Sequence, residues 1–247
     1  MNHSHKTGIG PIKAVFFDFD DTLISTAEGD RAALRAVSEL ARELCPGVED
    51  KHLLKIWNAR FRSSPWDPTY QVPVEEWRAR LWQYSLAELG CSNAAAAAPA
   101  LAQCFKDTRL DTFKLFPGTK GLMVRLTKAG IATVIITNGH AGIQRSKLER
   151  TGADALCTAL VLGGDEVLAG RQEKPAAGIF LAACQVCGCT PDEAMMVGDS
   201  LEADIQGGVN AGLAATVWVN RNAIPLPKGA PTPSYTVTNV LEGTFLQ

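Results

Sequence analysis

Two aspartates in an Asp-x-Asp pattern, Asp18 and Asp20, directly follow a short apolar run near the start of the chain. Paired carboxylates at such a position can hold a hard cation, and one of them can act as a covalent nucleophile. The pattern alone is weak evidence, because aspartate is also common in ordinary turns. Its position directly behind apolar residues is less common and makes the pair a candidate for catalysis.

Polar residues suited to a phosphate group follow later apolar runs. Thr137 offers a hydroxyl and Asn138 an amide, and backbone N–H groups continue through Gly139. The next helix is predicted to begin close by, and a helix N-terminus favours anions. Lys174, directly before Pro175, could neutralise both a phosphoryl oxygen and a nucleophilic carboxylate.

Two further carboxylates, Asp199 and Asp204, come after a third apolar run. Asp204 comes about one helical turn after Asp199. Magnesium takes few protein ligands and keeps waters and substrate phosphate oxygens in its coordination shell. Carboxylates from two strand ends could therefore complete a magnesium site.

Short apolar runs must position these groups. Each run ends in polar or glycine residues, and helical patterns separate the later runs. Strands that alternate with helices predict an α/β fold with a doubly wound parallel sheet, whose ligands bind at the carboxyl ends of the strands. The predicted strands are residues 12–17, 131–136, 194–197 and 214–219, and the predicted helices between them are 142–150, 176–187 and 201–211.

The connection from Asp20 to Thr137 is several times longer than the roughly 30 residues of a simple crossover unit. Its periodicity predicts helices, and an alanine run at residues 94–98 is either helical or a linker. Four tryptophans there either pack a small helical core or line a cleft: Trp57, Trp66, Trp77 and Trp82. We expect a flexible tail (1–11), a core (12–26 and 115–247) and a helical insertion (27–114), with helices at 30–44, 48–61 and 74–89.

The charges of the chain nearly balance, with 24 basic and 26 acidic residues and a formal net charge of −2. This balance gives no indication of a nucleic acid or an anionic membrane as partner, so an anionic substrate needs a locally positive pocket. No stretch has the length of a membrane span, and the first residues lack the apolar segment of a signal peptide. Seven cysteines without such a signal indicate reduced thiols and a cytoplasmic location.

Three of the cysteines, Cys184, Cys187 and Cys189, crowd together. A metal site would need further cysteine or histidine ligands, and no such set accompanies them. Apolar packing on a helix is the expected role.

The four polar groups, in this order and each at a strand end, resemble the motifs of the haloacid-dehalogenase-like superfamily. The resemblance implies a Rossmann-like core with a helical cap inserted after the first strand, here residues 27–114. It also implies a phosphatase that uses Mg²⁺ and forms an aspartyl phosphate. The motifs are Asp18-Phe19-Asp20-Asp21-Thr22, Ile136-Thr137-Asn138-Gly139, Glu173-Lys174-Pro175 and Gly198-Asp199-Ser200-Leu201-Glu202-Ala203-Asp204.

The resemblance assigns a role to each matched residue. Asp18 attacks phosphorus, and Asp20 protonates the leaving alcohol and then activates water. Magnesium is bound by the side chains of Asp18 and Asp199 and by the backbone carbonyl of Asp20. The groups that bind the phosphoryl oxygens are Thr137, Asn138, Gly139 and Lys174, while Asp204 orients the metal shell and Thr22 braces the first loop.

A longer set of segments resembles the sialic acid phosphatases of this superfamily, which release phosphate from N-acylneuraminate 9-phosphate. The similarity is weak within the insertion, except at Thr108-Arg109-Leu110. The implied substrate carries a carboxylate far from its phosphate, and burying that carboxylate requires a cation. We expect Arg109 in this role, followed by Lys147 and Arg31. The matching core segments are residues 16–24, 163–166, 173–176, 197–208 and 210–220.

Several other functions share this core. A phosphatase of another sugar phosphate or nucleotide has the same motifs, and a sugar phosphomutase shares Asp20 and a similar cap. A dehalogenase has no need of an acid at Asp20, because its leaving group is a halide. A sugar-phosphate-binding protein without activity would not need the intact set of Asp18, Asp20, Lys174 and Asp199. The sequence does not indicate the oligomeric state.

Overall fold

Six parallel strands form the sheet of this protein, whose computed structural model describes residues 11–242. The strands are short and largely buried, which explains why their sequences are continuous apolar runs rather than alternating patterns. Their order across the sheet is β3-β2-β1-β4-β5-β6. The strands are β1 (Ala14–Phe17), β2 (Ala132–Thr137), β3 (Ala159–Leu162), β4 (Ala194–Gly198), β5 (Ala215–Val219) and β6 (Tyr235–Val237).

The register of the central strands brings their carboxyl ends to one edge. Phe17, the last residue of β1, pairs with Ile135 of β2 and with Val197 of β4. The residues that follow, including Asp18 and Asp199, therefore leave the sheet at the same edge. This is the edge at which ligands bind in open parallel sheets.

The first four helices after β1 lie where the sequence predicts a helical insertion. They form one compact unit of residues 26–113, called here the helical unit, and the remaining described residues, 11–25 and 114–242, form the sheet unit. The unit boundaries lie one residue from the predicted ones, and most of the predicted tail, residues 1–10, lies outside the described residues. The helices are α1 (Thr26–Leu44), α2 (Asp50–Ser63), α3 (Val74–Glu88) and α4 (Ala94–Thr112).

Tryptophans form the core of the helical unit. Trp57 and Trp82 are at most 1% exposed, and their rings stack with centroids 4.3 Å apart. Phe105 of α4 packs edge-on against Trp57 at 4.7 Å. The predicted packing role is confirmed for these two tryptophans, because neither is open to solvent.

The alanine run begins α4 and is helical. Pro99 lies inside this helix and lacks the N–H that would bind the carbonyl of Ala95. Alanine has the highest helix propensity, and the residues around Pro99 are nearly all alanine, so the helix continues through the proline.

The helices of the sheet unit cover the two faces of the sheet and complete a Rossmann-like, doubly wound fold, which confirms the predicted fold class. Helix α8 packs through Ile179, Phe180 and Ala183 on apolar residues of β1, β2 and β4. No helix among residues 11–242 is long and apolar enough to span a membrane. These helices are α5 (Thr119–Lys128), α6 (Ala141–Thr151), α7 (Gly163–Leu168), α8 (Ala177–Cys187) and α9 (Gly207–Asn210), the last preceded by a π-helical segment at Leu201–Gln206.

The three crowded cysteines lie at and after the end of α8. Cys184 is buried in the apolar layer between α8 and the sheet, and Cys187 and Cys189 pack against that layer. Burial raises the pKa of the Cys184 thiol to about 12, so it stays protonated. This arrangement is the predicted apolar packing.

Candidate active site

The first loop, residues 18–25, begins where β1 ends. The Asp18 N–H still donates to the carbonyl of Val197 at 2.9 Å, so the backbone of Asp18 is held in the sheet. The chain then turns through Asp21, which has the left-handed φ of 56° that aspartate tolerates better than most residues. The turn brings Asp18 and Asp20 to the carboxyl edge of the sheet.

Lys174 is the central cation of this edge. It is only 4% exposed, and its ammonium group donates to Asp18 Oδ1 at 2.7 Å, Asp204 Oδ1 at 2.6 Å and the Ile136 carbonyl at 2.8 Å. All three N–H donors of the ammonium group are thereby used. Burial alone would lower the pKa of Lys174, but the charges of Asp18 and Asp204 outweigh it and raise the pKa.

Negative charge exceeds positive charge around Lys174. Burial raises the pKa of Asp18 to about 8, although Lys174 opposes this, and the charges of Asp204 and Asp20 raise it further. Burial, with the charges of Asp204 and Asp21, also raises the pKa of Asp199 to about 6. A divalent cation at this place would relieve the repulsion.

Three carboxylates stand close enough to share such a cation. Oxygens of Asp18, Asp199 and Asp204 lie within 4.8 Å of one another, with Asp18 and Asp204 buried and Asp199 partly exposed. Magnesium prefers oxygen ligands, so this donor set fits the ion. Of the three, Asp204 has protein hydrogen bonds to both of its oxygens, because its second oxygen accepts the Ser200 N–H at 3.0 Å.

Asp204 also depends on a residue without a side chain. A Cβ atom at position 198 would collide with the Asp204 carboxylate, so only glycine allows this close approach. The hydroxyl of Thr22 lies 3.5 Å from Asp199 Oδ1, at the limit of a hydrogen bond. The supporting roles predicted for Asp204 and Thr22 stay predictions.

Asp20 is held by one face of α6. The Lys147 ammonium group donates to both carboxylate oxygens at 2.8 Å, and Gln144 Nε2 donates to Asp20 Oδ2 at 3.0 Å. Gln144 is 2% exposed and also lies 2.5 Å from the Thr137 hydroxyl. Lys147 was expected to bind substrate, and here it is engaged with Asp20, so substrate recognition by Lys147 stays a prediction.

Gln144 was not among the predicted site residues. It is three positions before Lys147, so the two side chains share one face of α6. It is also on the helix that directly follows the strand carrying Thr137. Helical spacing from Lys147 could have identified it, but its bond to Asp20 depends on the tertiary structure.

The predicted phosphate-binding loop is tied to the segment around Lys174. The Asn138 side chain donates to the Lys174 carbonyl at 2.7 Å and accepts the Lys174 N–H at 3.0 Å. The Gly139 N–H donates to Glu173 Oε2 at 2.9 Å. Asn138 and Gly139 therefore connect the end of β2 to the segment between α7 and α8, so Lys174 does not lie directly at a strand end as predicted. Phosphate binding by Thr137, Asn138 and Gly139 stays a prediction.

Arg221 is a second residue that the sequence did not reveal. Its guanidinium donates to the carbonyls of Asp21 at 3.0 Å and Thr22 at 2.7 Å, and it stacks on the Phe116 ring at 3.5 Å. It therefore braces the first loop from a distant part of the chain. No local pattern around Arg221 indicates this contact.

Arg109 and Arg31 belong to the helical unit. Arg31 is exposed on α1, whereas Arg109 is 8% exposed on α4 and lies 2.6 Å from Asp30 through its Nε atom. Its guanidinium also lies over the rings of Phe105 and Phe113. The predicted role of these arginines in substrate recognition remains untested by these contacts.

Comparison with known proteins identifies the family of enzymes to which this chain belongs. The family model described as haloacid dehalogenase-like hydrolase matches residues 12–212. The chain belongs to this family and is a hydrolase. A dehalogenase structure from Pseudomonas syringae pv. Tomato shows the same fold, with a TM-score of 0.69 and 24% identity over 95% of this chain and 97% of that one.

Two curated relatives are similar over nearly their whole length. Human N-acylneuraminate-9-phosphatase is 35% identical over 244 residues, which cover 95% of this chain and 93% of the relative. Phosphoserine phosphatase from Thermus thermophilus is 30% identical over 246 residues, which cover 89% of this chain and 94% of that relative.

Proposed function

We propose that this hydrolase is a magnesium-dependent phosphomonoesterase that converts N-acylneuraminate 9-phosphate to free sialic acid and phosphate. The observation that supports it most directly is the pair of Asp18 and buried Lys174 at the carboxyl edge of the sheet. The similarity to human N-acylneuraminate-9-phosphatase supports the choice of substrate.

In the first step, Asp18 acts as the nucleophile. Lys174 holds Oδ1 of this carboxylate, and among the described residues no side chain bonds to Oδ2. Oδ2 therefore forms the new bond to phosphorus while the bond from phosphorus to the sugar oxygen breaks. Lys174 offsets part of the negative charge that the phosphoryl group brings beside Asp18.

Asp20 moves the proton in both steps. As the sugar oxygen leaves, the protonated Asp20 carboxyl group gives it a proton and becomes a carboxylate. The carboxylate then takes a proton from the water that attacks the phosphorylated Asp18. Phosphate leaves, and Asp18 and Asp20 return to their starting forms. Lys147 and Gln144 fix the position of the Asp20 carboxyl group throughout.

Magnesium, when bound, neutralises charge on the phosphoryl oxygens and holds the phosphate in place. Its ligands would be the side chains of Asp18 and Asp199 and the backbone carbonyl of Asp20. Both carboxylate oxygens of Asp204 already accept hydrogen bonds, one from Lys174 and one from the Ser200 N–H. In this proposal Asp204 therefore orients the residues around the magnesium and is not one of its main ligands.

Different residues bind the two parts of the substrate, its phosphate and its sugar. Thr137, Asn138, Gly139 and Lys174 bind the phosphoryl oxygens in this proposal, and the helical unit acts as the cap that selects the sugar. A cytoplasmic location is part of the same proposal, because all seven cysteines are free thiols.

Phosphate release from a panel of phosphate esters tests the function. We expect N-acetylneuraminate 9-phosphate to give the highest kcat/KM, with activity that is lost in EDTA and restored by Mg²⁺. An equal or higher kcat/KM on another sugar phosphate or a nucleotide would identify a different phosphatase of the family. Appearance of an isomeric sugar phosphate without free phosphate would identify a phosphomutase.

Phosphoserine hydrolysis is the second candidate, because the Thermus relative is 30% identical over nearly its full length. Phosphoserine is much smaller than a sialic acid phosphate, and both carry a carboxylate. Including phosphoserine in the panel therefore distinguishes recognition of the carboxylate from recognition of the sugar.

A further inference from the structure

Arg78 of α3 is a partly buried arginine without a charged partner. Its guanidinium lies 5.2 Å from the centre of the Phe61 ring, and its Nε–H reaches the Pro65 carbonyl only at 3.4 Å. None of the described carboxylates forms an ion pair with it. Buried guanidinium groups are normally paired, because removing their charge from water is costly.

Arg109 stands near Arg78 and is also poorly matched. Arg109 Nε lies 2.6 Å from Asp30 Oδ1, but the N–H does not point at that oxygen, and neither atom makes a hydrogen bond. Since Arg109 is more than nine-tenths buried, its Nε–H is a buried donor without an acceptor among the described residues. Asp30 therefore compensates the charge of Arg109 without satisfying this donor.

The charges around the two arginines do not balance. Burial, and next the positive charge of Arg109, lower the pKa of Arg78 to about 9, while Glu75 and Asp30 oppose this. Glu75 is already paired with Lys106 at 2.8 Å. Three cations therefore face two carboxylates, which leaves one positive charge in excess.

Aromatic rings lie beneath these guanidinium groups. Arg78 lies over Phe61 and Arg109 over Phe105, and the two rings meet edge-on with centroids 5.8 Å apart. Trp57 stacks on Phe61 at 4.6 Å and is itself buried. The rings hold both cations in place on a rigid base, so little order has to be gained when an anion binds.

We propose that Arg78 and Arg109 bind the carboxylate of the substrate, with Arg78 as the residue that supplies the unpaired charge. One excess positive charge matches a monoanion better than a phosphate dianion. A guanidinium can also pair both oxygens of a planar carboxylate. The identity of the carboxylate as that of a sialic acid rests on the proposed function, whereas the site itself rests on the charges and contacts of the helical unit.

Calorimetric titration of the full chain with N-acetylneuraminate and with its methyl ester tests the site, because the ester differs by one charge. We expect wild type to bind the acid about tenfold or more tightly than the ester. Arg78→Gln should remove this preference, and Arg78→Lys, which keeps the charge without the planar fork, should retain only part of it.

Arg80→Gln is the matched control. Arg80 is on the same helix, exposed, and paired with Glu76 at the surface, so its replacement should leave the preference unchanged. Thermal unfolding of each variant shows whether the fold is kept. If Arg78→Gln unfolds, the Arg78→Lys and Arg80→Gln pair decides the question.

Two results would overturn the inference: equal binding of acid and ester by wild type, or a preference for the acid that survives in the folded Arg78 variants. The proposed function fails by a different result, which is no phosphate release from N-acetylneuraminate 9-phosphate by wild type. Wild type could prefer the acid and yet hydrolyse only another phosphate ester that carries a carboxylate. In that case the carboxylate site would stand, and the proposed sugar substrate would be wrong.

Discussion

Each of the two units of this protein contains cations that are at least partly buried, but the two units differ in how fully these cations are paired. In the sheet unit, Lys174 has an acceptor for each of its three donors. In the helical unit, Arg78 has no carboxylate partner among the described residues, and the Nε–H of Arg109 has no acceptor there. A fully paired cation fixes the geometry around it, whereas an unpaired one stabilises the protein only when an anion arrives.

This difference matches the two parts of a specific phosphatase. The catalytic groups must hold their positions before the substrate binds, because reorganisation during the reaction would cost rate. A recognition site gains selectivity if its charge is compensated only by the correct substrate. Substitutions in each unit should therefore fail in different ways.

The largest expected effect is on turnover, from Asp18→Asn. We expect kcat to fall at least ~10³-fold, because loss of a covalent nucleophile forfeits several kcal/mol. The free energy of unfolding should not fall with it, because burial already disfavours the charged form and raises the pKa of Asp18. Phosphate release and urea unfolding measure the two properties. A variant with a tenth of the wild-type kcat would show that Asp18 is not the nucleophile.

Lys174→Met should reduce both stability and activity. It leaves the Asp18 and Asp204 carboxylates buried without their cation, and breaking a buried pair in this way costs about 3–5 kcal/mol. Urea unfolding measures this loss. Lys13→Met is the control, because the pair of Lys13 with Glu193 lies at the surface, where little change is expected. Equal stability of the two variants would contradict the structural role of Lys174.

Asp20→Asn should separate substrates by their leaving groups. We expect a loss of about 10²-fold or more on a sugar phosphate, whose alcohol needs a proton to leave, and a smaller loss on an aryl phosphate. Steady-state kinetics on both substrates measure the ratio. Losses of the same size, with the first step limiting turnover, would argue against acid catalysis by Asp20.

Arg109→Ala should have the smallest effect on rate and the clearest effect on recognition. We expect KM for N-acetylneuraminate 9-phosphate to rise about tenfold, since a charged hydrogen bond contributes roughly 1.5–3 kcal/mol. The melting temperature should also fall, because Arg109 packs against Phe105 and Phe113. Arg62→Ala, an exposed arginine of the same unit, is the control.

The two substrates decide what an Arg109 effect means. An equal loss on an aryl phosphate without a carboxylate would show that Arg109 supports the fold only. No loss on either substrate would remove it from the recognition site. Either result would sharpen the contrast with Lys174, whose loss should affect every substrate.

The central strands could be predicted because buried parallel strands are continuous apolar runs. Residues 131–136 were predicted, and β2 is Ala132–Thr137. The outer strands β3 and β6 were not predicted, because they are short and each pairs with only one neighbour. Pairing of that kind depends on the position of the neighbouring strand rather than on the local pattern.

The groups at the strand ends could be predicted because each motif is continuous in sequence. Gln144, Arg221 and Arg78 could not, because their importance lies in contacts made across the fold. Arg221 donates to backbone carbonyl groups, which every residue has. The residue types of its partners therefore give no sign of this contact in the sequence. Arg78 is notable for a missing partner, which is visible only once its neighbours are in place.

The brace from Arg221 has a consequence for synthesis on the ribosome. The loop that contains Asp18 emerges well before its brace, because Arg221 follows Asp21 by 200 positions. The strands beside β1 also come late, because β2 and β4 follow the whole helical unit. The helical unit is one continuous segment of the chain, so it can fold before β2 and β4 have emerged. The nascent chain can therefore carry a folded helical unit well before the catalytic groups of the sheet unit come together.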